Sequence, residues 1–205
     1  VAAVGDRIRT WLFHWLVCNV AGKRPPNFVV GADDPGGVYL RRWYLTPWRG
    51  WYQGIDEAER TRWQRFVCAA TKRLLPNLYL HHFLRDDDDR ALHDHPSAGF
   101  SFILYGGYIE HTIAAGGIHK REEFAPGRIR FMRATHAHRL ELHKLARGGL
   151  VGGGDDDFFA LPCWTLFLFL PTFRRWGFHC KDKGWVPYEE FTAAGKPGEV
   201  GKGCA

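Results

Sequence analysis

The chain has 205 residues, 45% hydrophobic and 15% aromatic, and a formal charge of +6. This composition excludes a disordered chain and leaves room for a sizeable core, so a single domain over residues 1–205 is expected. Lys and Arg are spread along the sequence with no basic tail and no helix-turn-helix, zinc-finger or RNA-binding signature, so nucleic acid is not an expected partner.

Residues 6–20 read as a helix, with Ile8, Leu12, Trp15 and Leu16 on one stripe. The run Trp11–Val17 is broken by His14 and is too short to span a bilayer, so no membrane association is expected. Gly22 to Gly37 is rich in Pro, Gly and Asp and reads as loop, and Val38–Leu45 alternates as a first strand. A second helix is expected over 57–74, capped by Asp56 and Glu59 and stopped by Pro76, with Trp63, Phe66, Val67, Ala70 and Leu74 at helical spacing. Residues 1–76 thus form a helical N-terminal extension.

After Pro76 the apolar period changes to two. Leu78–Leu84, Phe100–Tyr105, Tyr108–Ala114, His119–Phe124, Arg128–Met132, His136–Leu142 and Thr165–Leu170 read as strands, with turns at Gly106-Gly107 and Pro126-Gly127 and a Gly/Asp-rich loop over 144–157. The fold class expected is mainly β: an antiparallel barrel or jelly roll over 78–180, with the helices outside and a tail at 181–205.

His93 and His95 alternate around Asp94, so in a strand both imidazoles face one side. His138, following the turn at Pro126-Gly127 and the next strand, offers a third imidazole, with His136 on the same face as the competing ligand. Imidazoles in this arrangement suit one divalent metal ion.

These residues resemble the cupin superfamily. His93, His95 and Gly106 or Gly107 follow the first cupin motif, and Gly127 and His138 match the ends of the second. Arg133, Ala134 and Thr135 replace its usual Pro-x-Gly. The resemblance covers roughly 78–170 and implies a metal-binding β-barrel. The Glu ligand that many cupins carry falls at Gly99 or Phe100, neither of which can bind metal. The three-histidine set that remains is similar to that of the thiol dioxygenases. It implies Fe(II), with Zn, Ni or Mn as alternatives, and a dioxygenase-like enzyme with a small anionic substrate. A non-oxidative isomerase or lyase, or a ligand-binding sensor, is the competing reading. Glu110 and Glu141 are alternatives for a fourth ligand.

Arg128 and Arg130 alternate on the strand before His138, and one of them is the expected partner of a substrate acid group. Tyr105, Phe102 and Trp164 are expected pocket walls, and one of His81 and His82 should face inward. Arg174 and Arg175 are candidates at the barrel mouth, and Asp86–Asp89 reads as a solvated loop. Cys18, Cys68, Cys163, Cys180 and Cys204 are odd in number with no C-x-x-C pair, which predicts free thiols and a cytoplasmic protein. A homodimer is compatible with these readings.

Overall fold

The computed structural model describes residues 2–52, 54–87, 91–146, 158–193 and 201–204. Helix α1 (Ala2–Leu16) runs into a π-helical turn at Val17–Ala21. Leu12, Phe13, Leu16 and Val20 pack on Trp43, Leu80, Leu104 and Trp164. The buried stripe is rotated from the expected one, because Ile8 and Trp15 stay exposed while Phe13 turns inward.

After β1 (Phe28–Val30) and β2 (Leu40–Tyr44) come the short α2 (Pro47–Gly50) and α3 (Arg62–Leu74). The capping box of α3 lies at Thr61 and Gln64, not at Asp56 and Glu59. Gln64 N donates to Thr61 Oγ1 at 3.2 Å and Thr61 N to Gln64 Oε1 at 2.9 Å. Asp56 instead accepts from Ala58 N at 3.0 Å, which makes a separate turn.

The remaining strands are β3 (Asn77–Phe83), β4 (Leu92–His93), β5 (Gly99–Tyr105), β6 (Tyr108–Ala114), β7 (Ile118–Phe124), β8 (Ile129–Met132) and β9 (Arg139–Leu142). They are followed by β10 (Lys144–Ala146), β11 (Phe158–Ala160), β12 (Cys163–Phe169), β13 (Gly177–Cys180), β14 (Gly184–Pro187) and the short α4 (Tyr188–Phe191). Most of the expected 144–157 loop lies outside the described residues, and its start forms β10. The β5–β6 turn uses Gly106 at φ 73°, a left-handed value that favours glycine.

Every pairing is antiparallel. A six-stranded sheet has the order β1-β2-β3-β12-β5-β8, and two three-stranded sheets have the orders β7-β6-β9 and β14-β13-β4. The fold is therefore mainly β, as the alternation implied. The described strands form separate sheets, however, and not one hydrogen-bonded ring.

The register of the six-stranded sheet fixes which side chains share its inner face. Arg42 is opposite His81 and His81 opposite Thr165; one step of two away, Tyr79 is opposite Phe167 and Phe167 opposite Ser101. The alternate residues point out toward α1, which packs there on Trp43, Leu80 and Leu104. The inner face and the two smaller sheets enclose a cavity of about 450 Å³.

Among the described residues no helix is long and apolar enough to cross a membrane. The expectation of five free thiols is corrected. Cys180 and Cys204 form a disulfide with a Cα–Cα separation of 5.5 Å, while Cys18, Cys68 and Cys163 remain free. Their separation of 24 residues concealed the pair, because the fold and not the spacing brings the tail onto β13.

Candidate metal centre

His93 ends β4, and His138 lies just before β9. The two residues pair as an antiparallel bridge, His93 N donating to His138 O at 2.9 Å and His138 N to His93 O at 3.0 Å. His95 N donates to Ala134 O at 2.9 Å, which ties the other end of the H-x-H segment to the chain leading into His138. The backbone thus brings the three imidazoles to one wall of the cavity. One ring nitrogen from each of His93, His95 and His138 lies within 4.8 Å of those of the others. Nε2 of His95 is 2.8 Å from Nε2 of His138.

The alternation places Asp94 on the opposite side, as expected, but it is not a solvated residue. It is 1% exposed and holds the segment from behind. Its carboxylate accepts from Gly177 N at 2.8 Å and Trp185 Nε1 at 3.1 Å, and pairs with Arg174 at 2.9 Å. Arg174 also donates to His95 O at 3.0 Å and Ala134 O at 3.1 Å. The charge of Arg174 is thereby committed to the scaffold. Arg175 pairs with Glu189 at 3.2 Å on the surface.

Behind two of the imidazoles stands a carboxylate. Asp87 Oδ2 is 3.0 Å from His93 Nδ1, and Glu110 Oε2 is 3.2 Å from His138 Nδ1. Each partner favours a proton on Nδ1 and leaves Nε2 as the donor toward the centre. Burial opposes charge on His93, yet Asp87 raises its pKa. Burial first, then the neighbouring His138 and His93, hold His95 well below its ordinary value. Burial pushes His138 down to about 4 against the pull of Glu110. His95 and His138 are therefore neutral at pH 7 and present lone pairs.

Glu110 belongs to a second group. His136 Nε2 donates to Glu110 Oε1 at 2.7 Å, and Arg130 pairs with the same oxygen. Burial raises the pKa of Glu110, but His136, His138 and Arg130 together hold it well below the carboxylate range. Glu110, His136 and His138 also cluster closely enough to hold an ion. Glu110 is already neutralised there by Arg130, so the three-histidine set is the better donor group. His136, the competing ligand, sits on Glu110 and not among His93, His95 and His138.

Among the described residues no carboxylate joins the group of His93, His95 and His138. A Cβ on Gly99 would meet Leu168 O at 2.8 Å and Phe167 Cζ at 2.9 Å, and Phe100 is exposed. Three converging imidazoles, two of them backed by carboxylates, fit a divalent ion. Glu141, the other fourth-ligand alternative, pairs with His111 at 2.8 Å and not with the three-histidine group.

The expected substrate contacts need correction. Arg128 is exposed, and Arg130 is buried but spent on Glu110, so neither lines the cavity. Tyr105 is exposed and stacks on Phe13 of α1 at 5.1 Å. Phe102 and Trp164 pack beneath α1 on the outer face, because the strand period gives the inner face to Ser101, Ile103 and Thr165. His81 does line the cavity, and its Nε2 accepts from Arg42 Nε at 2.8 Å. Sequence reasoning missed Asp87, which it assigned to a solvated run, and Arg42, whose only signal was its place in an alternating strand.

No family model matches the chain, and no curated protein matches it. Among solved structures, an oxalate decarboxylase of B. subtilis matches at 12% identity and a TM-score of 0.33, over 47% of this chain and 21% of that one. Fe(II)-HppE with an alternative substrate matches at 14% identity and 0.39, over 70% of this chain and 55% of that one. The DMSP lyase DddQ of Ruegeria pomeroyi matches at 17% identity and 0.30, over 60% of this chain and 44% of that one. The chain spans between 21% and 55% of the length of these three structures, and likeness at this level assigns no residue a role. In the chain's own geometry antiparallel sheets surround a cavity, and an H-x-H pair meets a third histidine at its wall.

Proposed function

We propose that this chain is a metal-dependent enzyme of the non-haem iron dioxygenase kind, acting on a small anionic molecule in the cavity. The observation that carries this reading is the convergence of His93, His95 and His138, each with a ring nitrogen within 4.8 Å of the others, on the wall of a cavity of about 450 Å³. That volume suits a small organic molecule. The ion, when bound, supplies an uncancelled double positive charge, with redox capacity if it is iron.

The chain's own residues do the rest. Asp87 and Glu110 orient two imidazoles, and Asp94 anchors the segment that carries two of them. Phe167, Phe178 and Tyr108 line the cavity and limit water. Low local polarity strengthens attraction between a positive centre and an anion.

The test is metal analysis of protein prepared without added metal, together with oxygen uptake on addition of small organic acids. Iron with oxygen consumption supports the reading. Zinc, nickel or manganese without oxygen consumption replaces it with a non-oxidative isomerase or lyase. Failure to bind any divalent ion ends both.

A further inference from the structure

The cavity has a second polar region, on the inner face of the six-stranded sheet. Arg42, His81 and Thr165 lie side by side there on β2, β3 and β12. Arg42 Nε is used by His81, which leaves the two terminal guanidinium nitrogens. The guanidinium lies over the rings of Tyr79 at 5.0 Å and Phe28 at 5.6 Å. Among the described residues no carboxylate pairs with it, although Arg85, Arg130 and Arg174 each have one. Burial also keeps His81 neutral, so His81 adds no second positive charge. Thr165 is 1% exposed, and its Oγ1 has no hydrogen-bond partner. An enclosed cation without a counter-charge and a buried hydroxyl without a partner are both costly unless a ligand satisfies them.

We propose that Arg42 and Thr165 form the acid-binding end of the cavity and take the carboxylate of a small organic acid. This deepens the reading above and rests on the cavity being the substrate site. The guanidinium fork offers two parallel N–H groups to a planar carboxylate, and the Thr165 hydroxyl can donate to it as well. Tyr79, Phe167 and Phe169 line the cavity nearby and suit an apolar body. A carboxylate carries one charge, which one guanidinium balances; a phosphate dianion requires more donors than this row offers. Arg42 replaces Arg128 and Arg130 as the residue that selects an acid.

The experiment is calorimetric titration of the full chain, as purified and after dialysis against a chelator. The probes are benzoate, 3-phenylpropionate, benzamide and inorganic phosphate. At least one carboxylate should bind both preparations, and benzamide should bind neither. Arg42→Met should weaken carboxylate binding by about ten- to a hundredfold, and Thr165→Val by about three- to tenfold. Melting temperature verifies that each variant folds. If Arg42→Met does not fold, Arg42→Lys, which retains the charge but loses the fork, should still weaken binding several-fold. The proposal is overturned if benzamide binds as well as benzoate, if no carboxylate binds, if phosphate binds more tightly than every carboxylate, or if the folded Arg42 and Thr165 variants bind like the parent. Metal content separates the two readings. Failure to take up any divalent ion, with carboxylate binding intact, removes the metal reading alone; stoichiometric metal uptake with no carboxylate binding removes this one alone.

Discussion

Asp87 Oδ2 lies 3.0 Å from Nδ1 of His93, so a carboxylate outside the H-x-H segment sets which nitrogen of its first histidine faces the cavity. Replacing Asp87 with Asn keeps the shape and removes the charge. Asp87→Asn should weaken divalent metal binding by about ten- to a hundredfold without abolishing it. Competition against a chelator of known affinity measures this, and an unchanged affinity would show that Asp87 does not tune His93.

The ligand set is separable by single substitutions. His93→Ala and His138→Ala should each lose stoichiometric metal, while His136→Ala should retain it, because His136 sits on Glu110. Elemental analysis after gel filtration reads the outcome. Metal retained by His138→Ala and lost by His136→Ala would place the ion elsewhere.

Acid should destabilise the metal-free protein before its carboxylates titrate. Burial lowers His81 and His95 well below the ordinary 6.5, and lowers His82 and His138 to about 4. A histidine with a depressed folded pKa contributes stability that is present above 6.5 and lost as pH falls toward the folded value. His93 is raised and acts in the opposite sense, contributing stability at low pH that is lost as pH rises through its folded pKa. The four depressed groups outnumber it, so the melting temperature should fall between pH 6.5 and 4. His138 alone accounts for about 3 kcal/mol at about 1.4 kcal/mol per unit. A melting temperature that is flat over this range would contradict the neutral assignment.

Asp94 is a scaffold residue, and its removal should act on stability. Asp94→Ala strips the partner from Arg174, Trp185 and Gly177 N. Breaking a buried pair of this kind costs about 3–5 kcal/mol. Thermal unfolding should show a loss of roughly 6 °C or more. A shift under one or two degrees would mean that water replaces the carboxylate.

The disulfide closes a loop with a sequence separation of 24. Chain-entropy arguments give about 3 kcal/mol for a loop of this length. Cys204→Ser, or reductant added to the parent, should lower the melting temperature to a similar extent. Equal melting with and without reductant would show that the link adds no stability.

The strands after Pro76 and the shared face of His93 and His95 were legible because both rest on a period of two, whereas His138 was chosen over His136 by its place after the Pro126-Gly127 turn and the next strand. That period survives folding when one face is buried. The substrate contacts were misplaced for the same reason. Period two says that Trp164 and Thr165 face opposite sides, but not which side is the cavity; α1 takes the side of Trp164. Aromatic residues looked like pocket walls, and many of them pack under the helix instead. Asp87 and Glu110 were illegible as partners of His93 and His138, because each comes from a different part of the fold and carries no motif. The α3 cap moved from Asp56 to Thr61 because two capping boxes are written in one stretch, and only the second is followed by an uninterrupted helix.

At Gly99 a Cβ would stand 2.8 Å from Leu168 O, because β5 and β12 pair tightly there. A glutamate at this position would have to spread that pairing before it reached any ion. The route from a three-imidazole centre to a four-ligand one is therefore closed to a single substitution at residue 99. A lineage drifting through such a change would lose sheet pairing before it gained a ligand. The spacing of two strands thus guards the charge of the centre at residue 99, independently of the histidines themselves.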